Sequence, residues 1–440
     1  MSGPGMTETT QIYDTIVIGG GFSGVCAARD VSDKGRSVLL LEAKARLGGR
    51  VGSAPFKNRS EMIELGGTWV APKYHPFVAR ELERYNLELV QSHGGSLKTI
   101  WHFFGEPSSR IPVQGDDLFE LERALYQIKK DAHRIDARVP RDQQDLADLD
   151  IPIAAYFDRI GVSGSSRAFL EMWVILGSGA LLEEWSALSA LSLIAAMDNS
   201  VYGWYGAVTE KFAIGTSGAI ETMLKGSGVE VQLNTPVASV DQTGATVAVT
   251  TTSGQVFQAR SLVLAAPLAV WTDITFNPPL SENKVTAARI GHPGRMKKIW
   301  MLVENMPDGL YASGLGTDFV QIFPEYTDGD KKIAVGFCPP PSTLDGNDLN
   351  AVTNALRQFV PDAKVLATDV LDYTSDPYLK GTWMVQPPGI LSRYASSLIA
   401  TEGRIAFAGA DIAIRWLGWI DGALETGARA AQEVDSILTR

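Results

Sequence analysis

Cysteine is scarce in this 440-residue chain: there are two, Cys26 and Cys338, so no disulfide framework braces it, and each thiol reads as a small buried apolar group. Histidine is scarce as well, and positions 75, 93, 102, 133 and 292 fall at no metal-ligand spacing, so no metal site is expected. No run approaches the roughly 18 apolar residues of a membrane span. Met1-Ser2-Gly3-Pro4-Gly5 has neither the charged start nor the apolar core of a secretion leader, which makes the cytoplasm the default location. Positive charge is in deficit: 39 Lys and Arg against 50 Asp and Glu leave −11, a balance that disfavours nucleic acid and anionic membranes as partners. There is no internal repeat and no low-complexity linker. What remains, 45% hydrophobic and 20% charged residues, suits an ordinary globular protein with room for two domain cores.

The start of the chain carries the strongest signal. Thr15-Ile16-Val17-Ile18 reads as a strand, and Gly19, Gly21 and Gly24 follow it in the three glycine slots of a dinucleotide turn. Gly19 allows the tight turn, Gly21 lets backbone reach a pyrophosphate, and Gly24 lets the next helix pack closely on the strand. That helix begins near Phe22 and Ser23, with its free N–H groups and partial positive charge toward the phosphates. Ser37 to Leu41 reads as a second parallel strand ending at Glu42 and Ala43. A carboxylate at Glu42 accepts both ribose hydroxyls and repels a 2′-phosphate, which argues against NADP. Ala45-Arg46-Leu47-Gly48-Gly49-Arg50 then offers two guanidinium groups around two glycines, suited to a second approach to the pyrophosphate and the flavin side. The alternative for that loop is a solvated basic turn. Together the four parts point to FAD.

The chain does not continue as repeated βαβ units. Residues 76–200 read mainly as helices: Pro76 to Tyr85, Leu118 to Ile135 with Leu118, Leu121, Leu125 and Ile128 on one face, and an apolar helix from Ser186 to Met197. This insertion is expected to have its own core. Strand patterns return at Val229–Leu233, Ala245–Thr250, Val256–Ala259 and Ser261–Ala265, the last apolar enough for a buried parallel position. Further strands are expected at Lys298–Val303, Ile333–Phe337 and Arg404–Ala408, with a helix from Leu349 to Phe359. Ser281 and Lys284 match Ser-x-x-Lys but read as a chance match at a helix start.

Several separated motifs resemble the flavin-dependent amine oxidase family, the monoamine oxidase group, over nearly the whole chain. Besides the glycine turn, Glu42 and the Arg46–Arg50 loop, they are Glu64-Leu65-Gly66-Gly67-Thr68-Trp69, Thr235-Pro236-Val237, Pro387 to Leu391, and Gly409-Ala410-Asp411 through Gly418-Trp419-Ile420-Asp421. The resemblance implies an α/β fold: a discontinuous Rossmann-like FAD-binding domain (11–87, 215–275 and 387–440) with a substrate domain of antiparallel sheet plus helical insertion (88–214 and 276–386). It places Gly66 to Trp69 beside the flavin ring, the backbone of Val237 at the adenine, and Gly409, Asp411, Trp419 and Ile420 around the flavin, with Asp411 accepting from a ribityl hydroxyl.

The implied chemistry moves a hydride from the carbon beside an amine nitrogen to the flavin and then to O2. The cofactor carries the redox chemistry, and the protein holds a neutral amine against it. Trp383 and Trp419 match the positions that flank the substrate; read alone, each is as well explained as a core aromatic. Lys298 matches a lysine that holds a water at the flavin, and spacing by itself does not separate it from Lys297 or from a solvated strand end. Gly381-Thr382-Trp383 has no cysteine to tether flavin, so FAD is expected to be noncovalent. Asp131 to Asp136 and Asp148 to Pro152 are similar to the bacterial 6-hydroxynicotine oxidases, implying a nicotine-like amine as small-molecule partner. The segment Trp173 to Gly177 departs from that group in offering no amide. Another secondary or tertiary amine, a polyamine or an amino acid stays open as substrate, as does a protein electron acceptor in place of O2. A homodimer is possible.

Overall fold

The computed structural model describes residues 11–92, 98–103, 105–201 and 203–440. Met1–Gly5 and His93 lie outside them. An eight-stranded sheet is gathered from distant parts of the chain. Its centre is the strand Ile12–Ile18, parallel to Val38–Leu41 on one side and to the second half of Val256–Leu264 on the other. Ile405–Phe407 joins parallel to that same second half. The Val256–Ala259 and Ser261–Ala265 patterns are therefore one strand: its first half pairs antiparallel with Val247–Thr251, its second half parallel with the chain start. Arg260, the exposed charged residue between them, hides the continuity from a reading by composition.

Alternation explains why Ile16–Ile18, Val38–Leu41 and Leu262–Leu264 are apolar at every position. Val17, Leu40 and Val263 enter one core, beneath the helices Phe22–Ser32 and Ile420–Leu438, while Ile16, Leu39 and Leu262 enter a second core on the other face. With both faces covered, neither parity of residue can be polar. Cys26 and Cys338 are both buried free thiols.

A second, six-stranded sheet runs in the order Lys364–Leu371, Lys297–Glu304, Lys331–Cys338, Gln321–Asp328, Leu310–Gly314, Lys98–His102. Its pairs are antiparallel except the last. Here too alternation sorts side chains: Trp300, Leu302, Val335 and Phe337 face the helical layer, and Ile299, Met301, Val303 and Ala334 face the helix Leu349–Arg357. The helical insertion therefore has no core of its own. Leu121, Ile128, Met172, Leu188 and Leu191 pack in one cluster with Trp300, Phe323 and Phe337 of this sheet. A single-helix reading also misplaced Leu118. The helix spans Asp116–Ala132 and buries Leu121, Ala124 and Ile128, whereas Leu118 is exposed. Among the described residues no helix is long and apolar enough to cross a membrane.

The helix Pro76–Tyr85 has no side-chain cap of its own. Asp421, fully buried in the first turn of Ile420–Leu438, supplies one: its Oδ1 accepts the Val78 N–H at 2.8 Å. Burial raises this carboxyl to about 7. A carboxyl raised in the folded state binds its proton more tightly there than in the unfolded chain, so its contribution to stability is full below pH 4 and is lost as pH rises through 7. Asp421→Asn keeps the Val78 bond and has no charge to bury. We expect the wild-type holoenzyme to lose about 3 °C in Tm between pH 5 and 8 through this group, and the variant to lack that slope in parallel thermal melts; equal slopes would refute the assignment.

Candidate active site

One long cavity runs between the two sheets, and the parts read from sequence line most of its length. At one end the turn Gly19-Gly20-Gly21 leads into the helix Phe22–Ser32, whose N-terminus has no side-chain cap; Gly20, Gly21, Phe22 and Ser23 all face the cavity. An uncapped helix start directed into an opening is a ready phosphate site. Gly24 does not line the cavity. A Cβ there would lie 1.9 Å from the Gly19 carbonyl oxygen, so its role is the close packing expected of it. Glu42, buried beside Ala43, accepts the N–H of Gly20 at 2.7 Å and of Lys44 at 2.8 Å. Each oxygen keeps acceptor capacity toward the cavity it lines. Burial pushes this carboxyl up. Thr235, Pro236 and Val237 close this end.

The loop behind it divides its two arginines. Gly48, Gly49 and Arg50 line the cavity, but Arg46 does not. Its guanidinium turns back to the carbonyls of Leu47, Val51 and Gly49 at 2.7 to 3.0 Å, holding the loop in shape. Arg50 keeps its charge at the cavity: Nη1 donates to the Thr382 carbonyl at 3.1 Å, and Nη2 lies 2.6 Å from Asp411 Oδ1. Asp411 stands behind Gly409 and Ala410, which do line the cavity, and its other oxygen accepts the Leu268 N–H. Its contact with Arg50 positions that guanidinium at the cavity. None of Pro387 to Leu391 reaches the cavity either.

At the far end, Gly66, Gly67, Thr68 and Trp69 lie opposite a second uncapped helix start, Ile420–Leu438 with Trp419 as its N-cap residue. Two helix N-termini thus meet one cavity, the first toward phosphates and the second toward the end where a flavin ring would gather negative charge. Lys298 lines the cavity too. It shares a sheet face with Trp300 and Leu302, and alternation sends Lys297 the other way, to the Leu344 carbonyl. Lys298 Nζ donates to the Glu64 and Gly66 carbonyls at 3.0 Å and to Thr68 Oγ1 at 3.1 Å. Burial pulls its pKa down to about 8, against the opposing attraction of Glu64.

Trp383 and Trp419 both line this end. Trp383 Nε1 donates to the Gly177 carbonyl at 2.8 Å, tying the wall to the helical layer. Trp419 packs edge-on against Trp416 and His75, each 5.3 Å between ring centres. His75 is completely buried, and its pKa falls to about 3, so it packs as a neutral ring. Trp173, Leu176, Phe337 and Tyr311 complete an aromatic chamber. Its polar feature, invisible in the sequence reading, is Gln321, buried in the wall and donating to the Tyr311 hydroxyl. An isolated Gln at a strand start gives no sequence signal; only pairing of Gln321 with Phe337 turns it inward.

A glycine-lined passage with two uncapped helix starts, an acid at one end and a lysine with two tryptophans at the other defines a flavoprotein oxidoreductase, and its residues fit FAD along the whole length. The profile of the flavin-containing amine oxidoreductases matches residues 22–435, and the chain belongs to that family. It is 35% identical to (S)-6-hydroxynicotine oxidase of Paenarthrobacter nicotinovorans, over 96% of this chain and 99% of that protein. Pseudooxynicotine dehydrogenase of a Pseudomonas species is 33% identical, over 99% of this chain and 88% of its own length. In structure the chain resembles cyclohexylamine oxidase from Brevibacterium oxydans, with a TM-score of 0.85 at 20% identity, over 98% and 100% of the two chains.

The chain is thus an FAD-dependent amine oxidoreductase. Thr382, buried and lining the cavity beside Trp383, has no thiol to offer a flavin. Acid precipitation should therefore leave all the yellow colour in the supernatant, and flavin retained in the pellet would show a covalent link.

Proposed function

We propose that the protein oxidises a nicotine-like heteroaromatic amine, 6-hydroxynicotine first among them, with O2 as electron acceptor and hydrolysis to 6-hydroxypseudooxynicotine. The observation that carries this is the chamber between Trp383 and Trp419, walled by Trp173, Leu176 and Phe337, with Lys298 and the Gln321 and Tyr311 pair among its polar groups. A flat ring fits between tryptophan walls, and a dry site favours the neutral amine over ammonium. The relatives' names support the same substrate class.

Bound FAD supplies the hydride acceptor and returns the electrons to oxygen. The protein's share is positioning and electrostatics. Gly20, Gly21 and Ser23 hold the pyrophosphate, Glu42 the ribose, Val237 the adenine, and Arg50 and the start of Ile420–Leu438 the flavin side. Lys298 carries a proton and a positive charge beside the flavin. To hold a water there it releases its longest bond, that to Thr68. Gln321 reads the polar edge of the heteroaromatic ring from the wall opposite the helical insertion. In this reading 11–87, 215–275 and 387–440 form the FAD domain, and 88–214 and 276–386 the substrate domain.

Anaerobic mixing with a panel of amines tests the substrate. Both 6-hydroxynicotine enantiomers, nicotine, putrescine and an amino acid are compared by the rate of flavin bleaching. One 6-hydroxynicotine enantiomer should bleach fastest, and Gln321→Leu should raise its KM about tenfold or more while leaving kcat within a few fold. Faster bleaching by putrescine or the amino acid would refute the substrate. A second reading, a dehydrogenase, has support in the dehydrogenase among the relatives. Reoxidation by air that is slow beside turnover with an artificial acceptor would favour it.

A further inference from the structure

Where the strand Lys364–Leu371 ends, the chain runs along the cavity before it reaches Trp383. Residues 373–381 form a loop closed at its neck, where the Gly381 N–H donates to the Tyr373 carbonyl at 3.1 Å. Tyr373, Pro377, Tyr378 and Leu379 of this loop line the cavity. Pro377 and Tyr378 are exposed as well, so the wall is thin here. Among the described residues none of 373–381 enters a hydrophobic core. Ile18, Phe22, Leu41 and Ala265, which line the cavity too, are fixed in the cores of the eight-stranded sheet.

What holds the loop is polar, and its partners lie elsewhere in the chain. Tyr373 Oη donates to the Leu65 carbonyl at 2.8 Å, beside Gly66 at the flavin end. At the tip the Asp376 carboxylate has two tasks: Oδ1 accepts the Tyr378 N–H at 2.9 Å and shapes the turn, while Oδ2 pairs with Lys44, two residues past Glu42. Lys380 Nζ lies 2.5 Å from Asp273 Oδ2 and also reaches the Ala269 carbonyl at 3.4 Å. Lys44 and Asp273 themselves line the cavity. The loop therefore spans from the flavin end to the ribose and adenine end. Its two ion pairs have opposite polarity, so a seating with the partners exchanged would set acid on acid and base on base. Lys44 and Asp376 are only 24% and 17% exposed, which spares that pair much of the screening of an open surface.

We propose that Asp376 and Lys380 are cofactor-retaining residues: paired with Lys44 and Asp273 they clasp residues 373–381 over the cavity, and bound FAD leaves by the opening of this clasp. A cofactor that enters a finished cavity needs one wall that moves. This loop is seated by ion pairs and hydrogen bonds instead of apolar burial, so it lifts without breaking a core. The inference concerns the cofactor alone and holds whichever amine is oxidised.

The rate of FAD release tests this, read as the rise of free-flavin fluorescence after the holoenzyme is diluted far below saturation. Asp376→Asn keeps the Oδ1 bond to Tyr378 and removes the charge, and should speed release about tenfold. Lys44→Met breaks the same pair from the other side and should match it. Lys380→Asp sets acid on Asp273 and should speed release about threefold; aspartate tolerates the left-handed conformation of this position, with φ 54°. Adding Asp273→Lys to it restores the pair and the wild-type rate, which loss of folding would not do. Arg138→Met is the control: it breaks the exposed pair with Asp136, neither residue of which lines the cavity, and should release FAD at the wild-type rate. Wild-type release from Asp376→Asn or from Lys44→Met, no recovery in the exchanged pair, or equal acceleration by Arg138→Met would overturn the inference.

Discussion

Lys298→Met is expected to slow the return of yellow colour, when oxygen is admitted to the reduced protein, by about 10²-fold. The reason is the depth of the charge. Lys298 is 8% exposed and held on three oxygens by its strand and the Glu64–Thr68 turn, so no solvent cation can replace it. Methionine has a similar length and fills the same space without the charge, which separates electrostatics from packing. The pH dependence supplies the sign. With a pKa near 8 the lysine is a cation below that value and neutral above it, so the wild-type reoxidation rate should fall as pH rises through 8, while the Met variant stays flat. Following reoxidation alone keeps the substrate's own titration out of the measurement. An unchanged rate, or the same pH profile in the variant, would remove Lys298 from the role proposed for it.

Gly24→Ala is expected to yield largely colourless protein, with FAD affinity reduced about 100-fold. The added Cβ would sit 1.9 Å from the Gly19 carbonyl oxygen and 3.2 Å from the Ala265 methyl. Backbone on one side and a central strand on the other give it nowhere to go. The helix Phe22–Ser32 must lift, and the phosphate-facing turn opens with it. Overpacking of this kind costs about 3 kcal/mol, which corresponds to the 100-fold loss if it falls on the bound state. Gly206→Ala is the control, because nothing lies within 4 Å of a Cβ there. Flavin titration of both variants decides the matter, and full occupancy in Gly24→Ala would refute the packing argument.

These expectations differ in how far the sequence could supply them. The glycine turn is local: its spacing constrains a strand, a turn and a helix start within a dozen residues, and Glu42 follows one short strand later. Such a unit is legible because the ligand's phosphates dictate backbone approach, and only glycine permits it. The Arg46–Arg50 loop was legible as a motif but not in its division of labour. Two arginines of equal chemistry sit four residues apart, and only the loop's curvature turns Arg46 onto carbonyls and leaves Arg50 at the cavity. The ion pair of Asp411 with Arg50 was likewise not legible, since the two residues lie far apart in the chain.

The sequence alone therefore determined the cofactor and the family, through short patterns whose geometry is closed within a few residues. It also marked Ser261–Ala265 as a strand suited to a buried parallel position, because its apolar run leaves little polar parity. Tertiary structure decided the rest. Lys298 and Lys297 are equivalent until the pairing of Lys297–Glu304 with Lys331–Cys338 assigns one of them to the cavity. The substrate chamber draws Trp173, Gln321, Trp383 and Trp419 from four separate stretches of chain. No local rule links such positions. Their meeting follows from the burial of two sheets and a helical layer around shared cores, a global condition that no single segment carries.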